Sequence, residues 1–222
     1  MSGRADETVR LARERLYSSV LSDVLDERGL LHQVLSSHLR PLDESLVLCG
    51  RARTADFRDT YHAEDNQDAY GLLVPFEDSL VADDVVVLAC GPSQRLHPWG
   101  GTQALATTRR GAVGCVTDGL VRDVAQIREL KMPTFALGMG AVSLPGRGRI
   151  VAVDVPVHCG GVWISPGDLV FGDADGVLAV PREAEAEVIR AALALAAEER
   201  EIVRKLREGA TMKDIYRHHR TF

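Results

Sequence analysis

The chain has 222 residues, of which 45% are hydrophobic and 26% are charged, and its formal net charge is −6. This composition is typical of a globular protein with a substantial core and excludes a disordered chain. The negative charge, together with the lack of any cluster of basic and aromatic residues, argues against a nucleic-acid-binding surface. We therefore expect no nucleic acid among the partners.

The N-terminal stretch MSGRADETVRLARERL is charged throughout, and no run of the chain approaches the roughly 20 apolar residues of a membrane span. We therefore predict a soluble, cytoplasmic protein with no membrane partner. The four cysteines form no CxxC pair, which favours buried thiols over a metal or redox site. They are Cys49, Cys90, Cys115 and Cys159.

The first half of the chain begins with a predicted helix that Asp6 caps, that continues through Leu25 and that Gly29 ends. From Leu46 the pattern changes to short apolar runs, which predict strands. The strand segments are LVLCGRARTADF, VVVLAC, GCVT and TFAL, and the helical segments TQALATTRR and VRDVAQIREL separate the last three. The centre is therefore predicted as β-α-β-α-β with parallel pairing.

After Pro145 the pattern becomes rich in predicted strands, namely RIVAVDVPV, GVWI, DLVFGD and GVLAV. A long helix is predicted from Pro181, and Gly209 marks its end. We predict one α/β domain over residues 1–222, with an N-terminal helical extension over 1–40 and a C-terminal helical segment over 182–222.

Two loops are candidates for chemistry, because ligands gather at the carboxyl ends of parallel strands. VVVLAC leads to Gly100 and Gly101, which open a helix whose first free amides belong to Thr102 and Gln103. These amides would form a cradle for an anion. GCVT leads through a short loop to the pair 122–123, predicted in the first turn of the next helix. We expect the two loops to face each other.

Arg122 and Asp123 carry the chemistry of the second loop. Arg122 offers a planar fork that suits a carboxylate, and Asp123 offers a hard oxygen ligand for Mg²⁺ or Mn²⁺. Because adjacent helical residues point to different sides, we expect no local salt bridge between them. The alternative is that Asp123 only complements the helix dipole and Arg122 is solvated.

Other catalytic motifs are excluded. GMGAVS at 138–143 lacks the third glycine of a dinucleotide fingerprint, and no Walker, HExxH or GxSxG motif occurs. No lysine follows a strand end, which argues against an imine-forming aldolase. We assign no role to the scattered histidines His62, His97 and His158.

The stretch WGGTQALATTRRGAVGCVTDGLVRDVAQIRELKMPTFALG resembles the core signature of the 4-hydroxy-4-methyl-2-oxoglutarate aldolase family, which also contains the regulators of ribonuclease activity A. The distinguishing mark is the twenty residues between Gly101 and Arg122. CGRARTADF with the following Asp65-Asn66, and GGVWISPGDLVFGDADGVLAVP, are also similar to the family. The resemblance covers roughly residues 18 to 209.

The resemblance implies an αββα sandwich with a swivelling β/β/α-like core, assembled as trimers or hexamers with sites at subunit boundaries. It implies that Arg122 binds a keto-acid carboxylate or carbonyl, that the loop from Gly101 through Thr102 and Gln103 holds the carboxylate, and that Asp123 anchors Mg²⁺ or Mn²⁺. An acidic residue from a neighbouring C-terminal helix would complete the site. The candidates are Glu198, Glu199 and Glu201.

The implied function is that of a class II, metal-dependent lyase that cleaves C–C bonds of α-keto acids and releases pyruvate. Retro-aldol cleavage of 4-hydroxy-2-keto acids and decarboxylation of oxaloacetate share a pyruvate enolate, so both reactions stay open. The chain departs from the aldolase pattern at Gly101 and Gln126, where members commonly carry acidic residues. The absence of an acid at 101 removes a group expected to position a water for proton transfer.

The alternative is a non-catalytic regulator that binds an RNA-processing enzyme, as the ribonuclease-regulating relatives suggest. The retained Asp123 argues against it, because a regulator needs no metal carboxylate beside Arg122. A methyltransferase, a name attached to some similar sequences, lacks support because no glycine-rich nucleotide loop follows an early strand.

Overall fold

The structure is a computed structural model that describes residues 6–61 and 69–219. It confirms the predicted α/β class. The helices are α1 (Glu7–Arg15), α2 (Ser18–Glu27), α3 (Leu73–Asp78), α4 (Gly101–Arg110), α5 (Val124–Glu129), α6 (Glu185–Arg207) and α7 (Met212–His219). The strands are β1 (Arg40–Pro41), β2 (Leu48–Asp59), β3 (Asp84–Ala89), β4 (Gly114–Val121), β5 (Thr134–Met139), β6 (Gly148–Val153), β7 (Val157–Cys159), β8 (Val162–Ile164), β9 (Leu169–Gly172) and β10 (Val177–Val180).

The centre of the sheet is the predicted parallel unit. Strands β2, β3, β4 and β5 pair in parallel, and α3, α4 and α5 connect them in turn. The sheet order is β1-β5-β4-β3-β2-β9-β10, and β6 also pairs with β2. The late strands β6, β9 and β10 pair antiparallel, as expected where short connections replace helices. The carboxyl ends of β3 and β4 therefore lie side by side.

The sheet curls so that its two ends share one core. Alternate side chains along each strand show this, because they pack into different clusters. In β3, Val86 packs on the side of α3, α4 and α5, whereas Val85 packs into the inner cluster. In β9, Val170 packs into that same inner cluster, whereas Phe171 packs against α1, α2 and α6. The β7–β8 hairpin contributes Cys159 to the inner cluster. Helices therefore cover both outer faces, in an α-β-β-α order.

The N-terminal helical region departs from the prediction of one helix. Asp6 caps α1 as predicted, since its Oδ1 accepts hydrogen bonds from the amides of Thr8 and Val9. The chain then becomes extended at Tyr17, and α2 starts afresh. Asp173 stabilises this second start, because its carboxylate accepts hydrogen bonds from the Ser18 amide at 2.8 Å and from the Ser18 hydroxyl at 2.7 Å. A residue distant in sequence thus accepts the hydrogen bonds of the backbone amide and the hydroxyl at the start of α2.

Helix α6 packs within its own chain. It begins four residues after Pro181, and Gly209 with φ of +99° follows its end, as predicted. Ala192 and Ala196 are fully buried in the cluster that α1 and α2 also form. The face of α6 that carries Ala192 and Ala196 therefore makes contacts inside the chain. Among the described residues, no helix is long and apolar enough to cross a bilayer.

Candidate functional site

The loops after β3 and β4 touch each other through backbone and side-chain hydrogen bonds. The Arg122 amide donates to the Trp99 carbonyl at 3.0 Å, and the Gly101 amide donates to Oδ2 of Asp123 at 3.3 Å. Trp99 and Val121 also form an isolated parallel bridge. The start of α4 is thereby fixed against the residues that precede α5.

Asp123 lies in the left-handed region of the backbone map, with φ of +55° and ψ of +38°. It occupies the cap position before α5, so neither Arg122 nor Asp123 lies in the first helical turn as predicted. Left-handed backbone is unfavourable for most side chains, and Asp and Asn are among the few that tolerate it. The local turn redirects the chain into α5 and presents the Asp123 carboxylate to the opposite loop.

Arg122 and Asp123 form an ion pair, with 3.3 Å between Nε and Oδ2. The prediction that they do not pair is wrong, because it assumed helical geometry at both positions. The left-handed turn at Asp123 brings the two side chains to the same side. Both stay partly accessible, with 38% of the Arg122 side chain and 33% of the Asp123 side chain exposed.

Gly100 and Gly101 permit this close approach of the two loops. A Cβ on Gly100 would lie 2.9 Å from Oδ2 of Asp123 and 2.9 Å from Cγ of Arg122. A Cβ on Gly101 would lie 2.9 Å from Cβ of Gln126 and would overlap its amide oxygen. Gly101 is buried, so its contribution within this chain is its amide and its lack of a side chain.

The next amides of α4 belong to Thr102 and Gln103. Within the described parts of the chain, neither amide donates to a loop carbonyl or to a side chain, as expected for the first turn of a helix. The Gln103 side chain is engaged, because its Nε2 donates to the Pro98 carbonyl at 2.8 Å and to Oε1 of Glu77 at 3.2 Å. The helix start thus offers two free donors beside the Arg122–Asp123 pair.

A cavity of about 370 Å³ opens over these groups. Four of the residues singled out in the sequence line it, namely Thr102, Gln103, Arg122 and Asp123. The fifth, Gly101, does not line it, although its neighbour Gly100 does. The remaining lining residues come from α3 and the turn before it, from the loop before α4 and from the β5–β6 connection: Tyr70, Leu73, Val74, Glu77, His97, Pro98 and Leu144. The cavity combines a cation, a carboxylate and free amides with an apolar wall.

Glu77 is a cavity residue that the sequence analysis missed. It lies on α3, which places its carboxylate beside Gln103. Burial raises the pKa of Glu77 to about 7, although the hydrogen bond from Gln103 lowers the pKa and the nearby charge of Asp78 raises it. The apolar spacing of Leu73, Phe76 and Leu80 was the available signal for an inward-facing helix here.

His97, to which we assigned no role, also lines this cavity and is 5% exposed. Burial lowers the pKa of His97, the nearby Arg95 carbonyl raises it, and the charges of Arg147 and Arg122 lower it further. A neutral imidazole is therefore favoured at neutral pH. His158 instead meets Trp163 edge to face on the β7–β8 hairpin, while His62 and the Asp65-Asn66 pair lie outside the described residues.

The glutamates expected to complete the site lie on α6, on the opposite helical layer. Glu199 accepts a hydrogen bond from the Tyr17 hydroxyl, and Glu201 pairs with Arg204. Within the chain none of the three candidates, Glu198 included, lines the cavity. A role for any of them at this site needs a second copy of the chain and stays a prediction.

The fold and the Gly-to-Arg-Asp spacing of this cavity define a known class. Residues 18–179 match the family described as RraA-like, Aldolase/RraA, so the chain belongs to the RraA-like family. It is similar to a protein of Halalkalibacterium halodurans provisionally named 4-hydroxy-4-methyl-2-oxoglutarate aldolase, with 33% identity over 79% of this chain and 77% of that protein. It is also 28% identical to protein DlpA of Legionella pneumophila, covering 88% of this chain and 31% of DlpA.

Among solved structures, the fold is similar to that of Streptomyces coelicolor RraAS2, described as an unusual member of the RNase ES inhibitor RraA protein family. The TM-score is 0.78 at 29% identity, and the match covers 95% of this chain and 100% of RraAS2. The relatives thus include proteins named as aldolases and proteins named as inhibitors of a ribonuclease.

Proposed function

We propose that this chain is a lyase that cleaves a C–C bond of an α-keto acid and releases pyruvate with the help of Mg²⁺ or Mn²⁺. The observation that carries the proposal is the convergence of Arg122, Asp123 and the free amides of α4 on one cavity. A keto acid needs a site for its carboxylate, a positive group near its carbonyl and a way to stabilise the enolate. The cavity offers a candidate for each.

The donor set fits a divalent cation. Mg²⁺ is commonly held by one or two protein carboxylates and takes its other ligands from water and substrate. Asp123 uses one of its two carboxylate oxygens in contacts with the described residues: Oδ2 accepts a hydrogen bond from the Gly101 amide and pairs with Arg122. Oδ1 is left for a ligand. The described residues contain no group of three His, Cys, Asp or Glu that could enclose a cation. An open site, completed by solvent, substrate or a neighbouring subunit, is therefore the proposed arrangement.

Other residues of the chain bind the substrate and stabilise the enolate. The amides of Thr102 and Gln103 bind the substrate carboxylate, because the first turn of a helix presents unpaired donors and the positive end of its dipole. The Arg122 guanidinium stabilises negative charge on the carbonyl oxygen as the enolate forms. The apolar wall, including Leu73 and Leu144, lowers the local polarity beside that charge and so strengthens the interaction. A bound divalent cation would supply Lewis-acid stabilisation of the same charge.

Retro-aldol cleavage and decarboxylation both end at the pyruvate enolate, so this site suits either reaction. The leaving fragment is a carbonyl compound in one case and CO₂ in the other. The similarity to proteins named as 4-hydroxy-4-methyl-2-oxoglutarate aldolases favours 4-hydroxy-2-keto acids as the substrate class. We therefore place retro-aldol cleavage first and oxaloacetate decarboxylation second.

The test is release of pyruvate by the purified protein from a panel of 4-hydroxy-2-keto acids and oxaloacetate. Each reaction is run with Mg²⁺ or Mn²⁺ and with EDTA, and a protein-free blank with metal corrects for spontaneous loss of CO₂. We expect release that EDTA abolishes and added metal restores. Full activity in thoroughly chelated protein would contradict metal dependence.

A non-catalytic regulator is the second candidate, favoured by the similarity to RraAS2. It predicts no pyruvate release from any member of the panel and direct binding to an RNase E-type ribonuclease. Titration of the purified ribonuclease with this protein, read as inhibition of RNA cleavage, separates the two functions.

A further inference from the structure

Among the described residues, the Glu77 carboxylate has no cationic partner. Its described hydrogen bond is the one that Oε1 accepts from Nε2 of Gln103, and within residues 6–61 and 69–219 no Lys or Arg forms an ion pair with it. A half-buried carboxylate normally acquires such a partner or stays in water, because burial of an unpaired charge is costly. Its neighbour Asp78 has one, since Arg110 pairs with it.

The position of Glu77 is also specific. Besides Asp123, Glu77 is the acidic side chain in the described lining of the cavity. It contacts Gln103, whose backbone amide we assign to the substrate carboxylate. The acid that family members commonly carry at 101 is missing here, and Gln126 fills the space beside Gly101. Of the two carboxylates in the described lining of the cavity, Glu77 is therefore the one not assigned to the metal and is available to carry a proton.

We propose that Glu77 is the catalytic proton-transfer residue of this site and serves 4-hydroxy-2-keto acids. The inference rests on the proposed lyase function. The Glu77 carboxylate takes the proton of the substrate's 4-hydroxyl group, the C3–C4 electrons move to form the pyruvate enolate, and C4 becomes a carbonyl. The same proton then passes from Glu77 to C3, which yields pyruvate and restores the carboxylate. No outside oxidant, reductant or acid is needed.

The charged groups around Glu77 set its titration. Burial is the dominant influence and raises the pKa to about 7, where a carboxyl group is best matched to proton transfer at neutral pH. The ionisable groups that line the cavity with Glu77 are Tyr70, His97, Arg122 and Asp123. Those on or against α3 are Asp78 on the same helix, Arg110 on α4, Arg53 over the Phe76 ring and the buried Cys115 thiol. Cleavage requires the carboxylate form, so its rate should rise with pH to a plateau with a midpoint near 7.

The experiment compares wild type, Glu77→Gln and Glu77→Asp, with Asp78→Asn as the matched control. Three quantities are measured: retro-aldol cleavage between pH 5 and 9, exchange of pyruvate methyl protons with deuterium in D₂O, and the Kd for pyruvate in the presence of Mg²⁺. For Glu77→Gln we expect cleavage and exchange to fall about 10²- to 10⁴-fold, the inflection near pH 7 to disappear, and the Kd to stay within a few-fold. Glu77→Asp should recover part of both rates. Asp78→Asn should keep the plateau rate within a few-fold of wild type and move the pH midpoint to a lower value, because the charge of Asp78 raises the pKa of Glu77.

The outcomes separate the inference from the function on which it rests. An active wild type whose rate and pH profile survive in Glu77→Gln overturns the role of Glu77 and leaves the lyase function in place. Loss of pyruvate binding in both Glu77 variants also overturns it, because Glu77 would then shape the site rather than transfer a proton. A wild type that neither cleaves any keto acid nor exchanges pyruvate protons overturns the proposed function itself.

Discussion

Gly101 and Gln126 share one space. A side chain on Gly101 would meet Cβ of Gln126 at 2.9 Å and overlap its amide oxygen, so the two departures from the aldolase pattern form a single packing unit between α4 and α5. The overlap with the amide oxygen alone could be relieved by rotation of the Gln126 side chain. The contact with Cβ cannot, because it depends on the helix backbone.

This unit predicts a strong coupling between substitutions at the two positions. Gly101→Ala should destabilise by about 1 to 3 kcal/mol through overpacking, although the same change in open space would stabilise by about 0.4 to 1 kcal/mol. Gln126→Gly should cost about 1 kcal/mol of helix propensity. In the double variant the overlap is gone, so its loss should be smaller than the sum of the single losses. Urea unfolding of all four proteins measures this, and additive losses would contradict the shared space.

Asp123→Asn should abolish turnover while the protein stays folded. Asparagine tolerates the left-handed backbone and still accepts the Gly101 amide, but it lacks the anionic oxygen proposed for the metal. We expect keto-acid cleavage to fall by at least about 10³-fold, with Tm within a few degrees of wild type. Glu129→Gln, an exposed acid at the other end of α5, is the control. Wild-type turnover in Asp123→Asn would show that the site is misassigned.

Arg122→Lys should reduce kcat/KM by a factor that corresponds to about 2 to 4 kcal/mol, the usual effect of losing an oxyanion donor. Lysine keeps the charge but loses the planar fork that pairs with Asp123 and that we propose stabilises the substrate carbonyl oxygen. Arg128→Lys is the matched control, because Arg128 donates to the Leu42 carbonyl and does not line the cavity. A drop of equal size in both variants would point to a general loss of stability.

The titration of Glu77 should appear in the pH dependence of stability. Its pKa in the folded chain is raised to about 7 from an ordinary value of 4.5, so the folded state binds more protons than the unfolded state between these values. The free energy of unfolding should therefore decrease as pH rises from about 4.5 to 7, and the penalty is complete above 7. Glu77→Gln removes the penalty, so its gain in Tm over wild type should be larger at pH 8 than at pH 5. Asp78→Asn should show a smaller difference, because it removes only the part of the pKa increase that the charge of Asp78 causes.

The assembly prediction is a trimer or a multiple of it, as the resemblance implies. The structure leaves large apolar side chains uncovered, including Trp163 at 68% and Met139 at 60% exposure, which is consistent with a surface for another copy. Sedimentation velocity at micromolar concentration measures the mass directly. A monomer would contradict the prediction and leave the α6 glutamates without a role at this site.

The parallel centre of the fold was predictable because its strands are continuous apolar runs and its helices have clear spacing. Both loops were located for the same reason, since strand ends follow directly from the strand assignments. The break at Tyr17 was not predictable, because the contact that stabilises it comes from Asp173, which is more than 150 residues away in the chain. Local spacing carries no information on such a partner.

Within the site, residue types were predictable and conformations were not. Arg122 and Asp123 stand next to each other in the sequence, but their pairing depends on the sign of one dihedral angle at Asp123. Glu77 was missed because α3 has only six residues, so the spacing of Leu73, Phe76 and Leu80 is a weak periodic signal, and the approach of Glu77 to Gln103 is a tertiary contact.

The left-handed turn at Asp123 bears on how such a protein can evolve. The residues that fit this backbone are few, and the most conservative of them, asparagine, differs from aspartate by a single base in the codon. One mutation can therefore remove the proposed anionic ligand while the turn, the loop contact and the fold remain. A lineage could then lose its chemistry without losing its shape, and the surviving scaffold would be free to serve as a partner for another macromolecule.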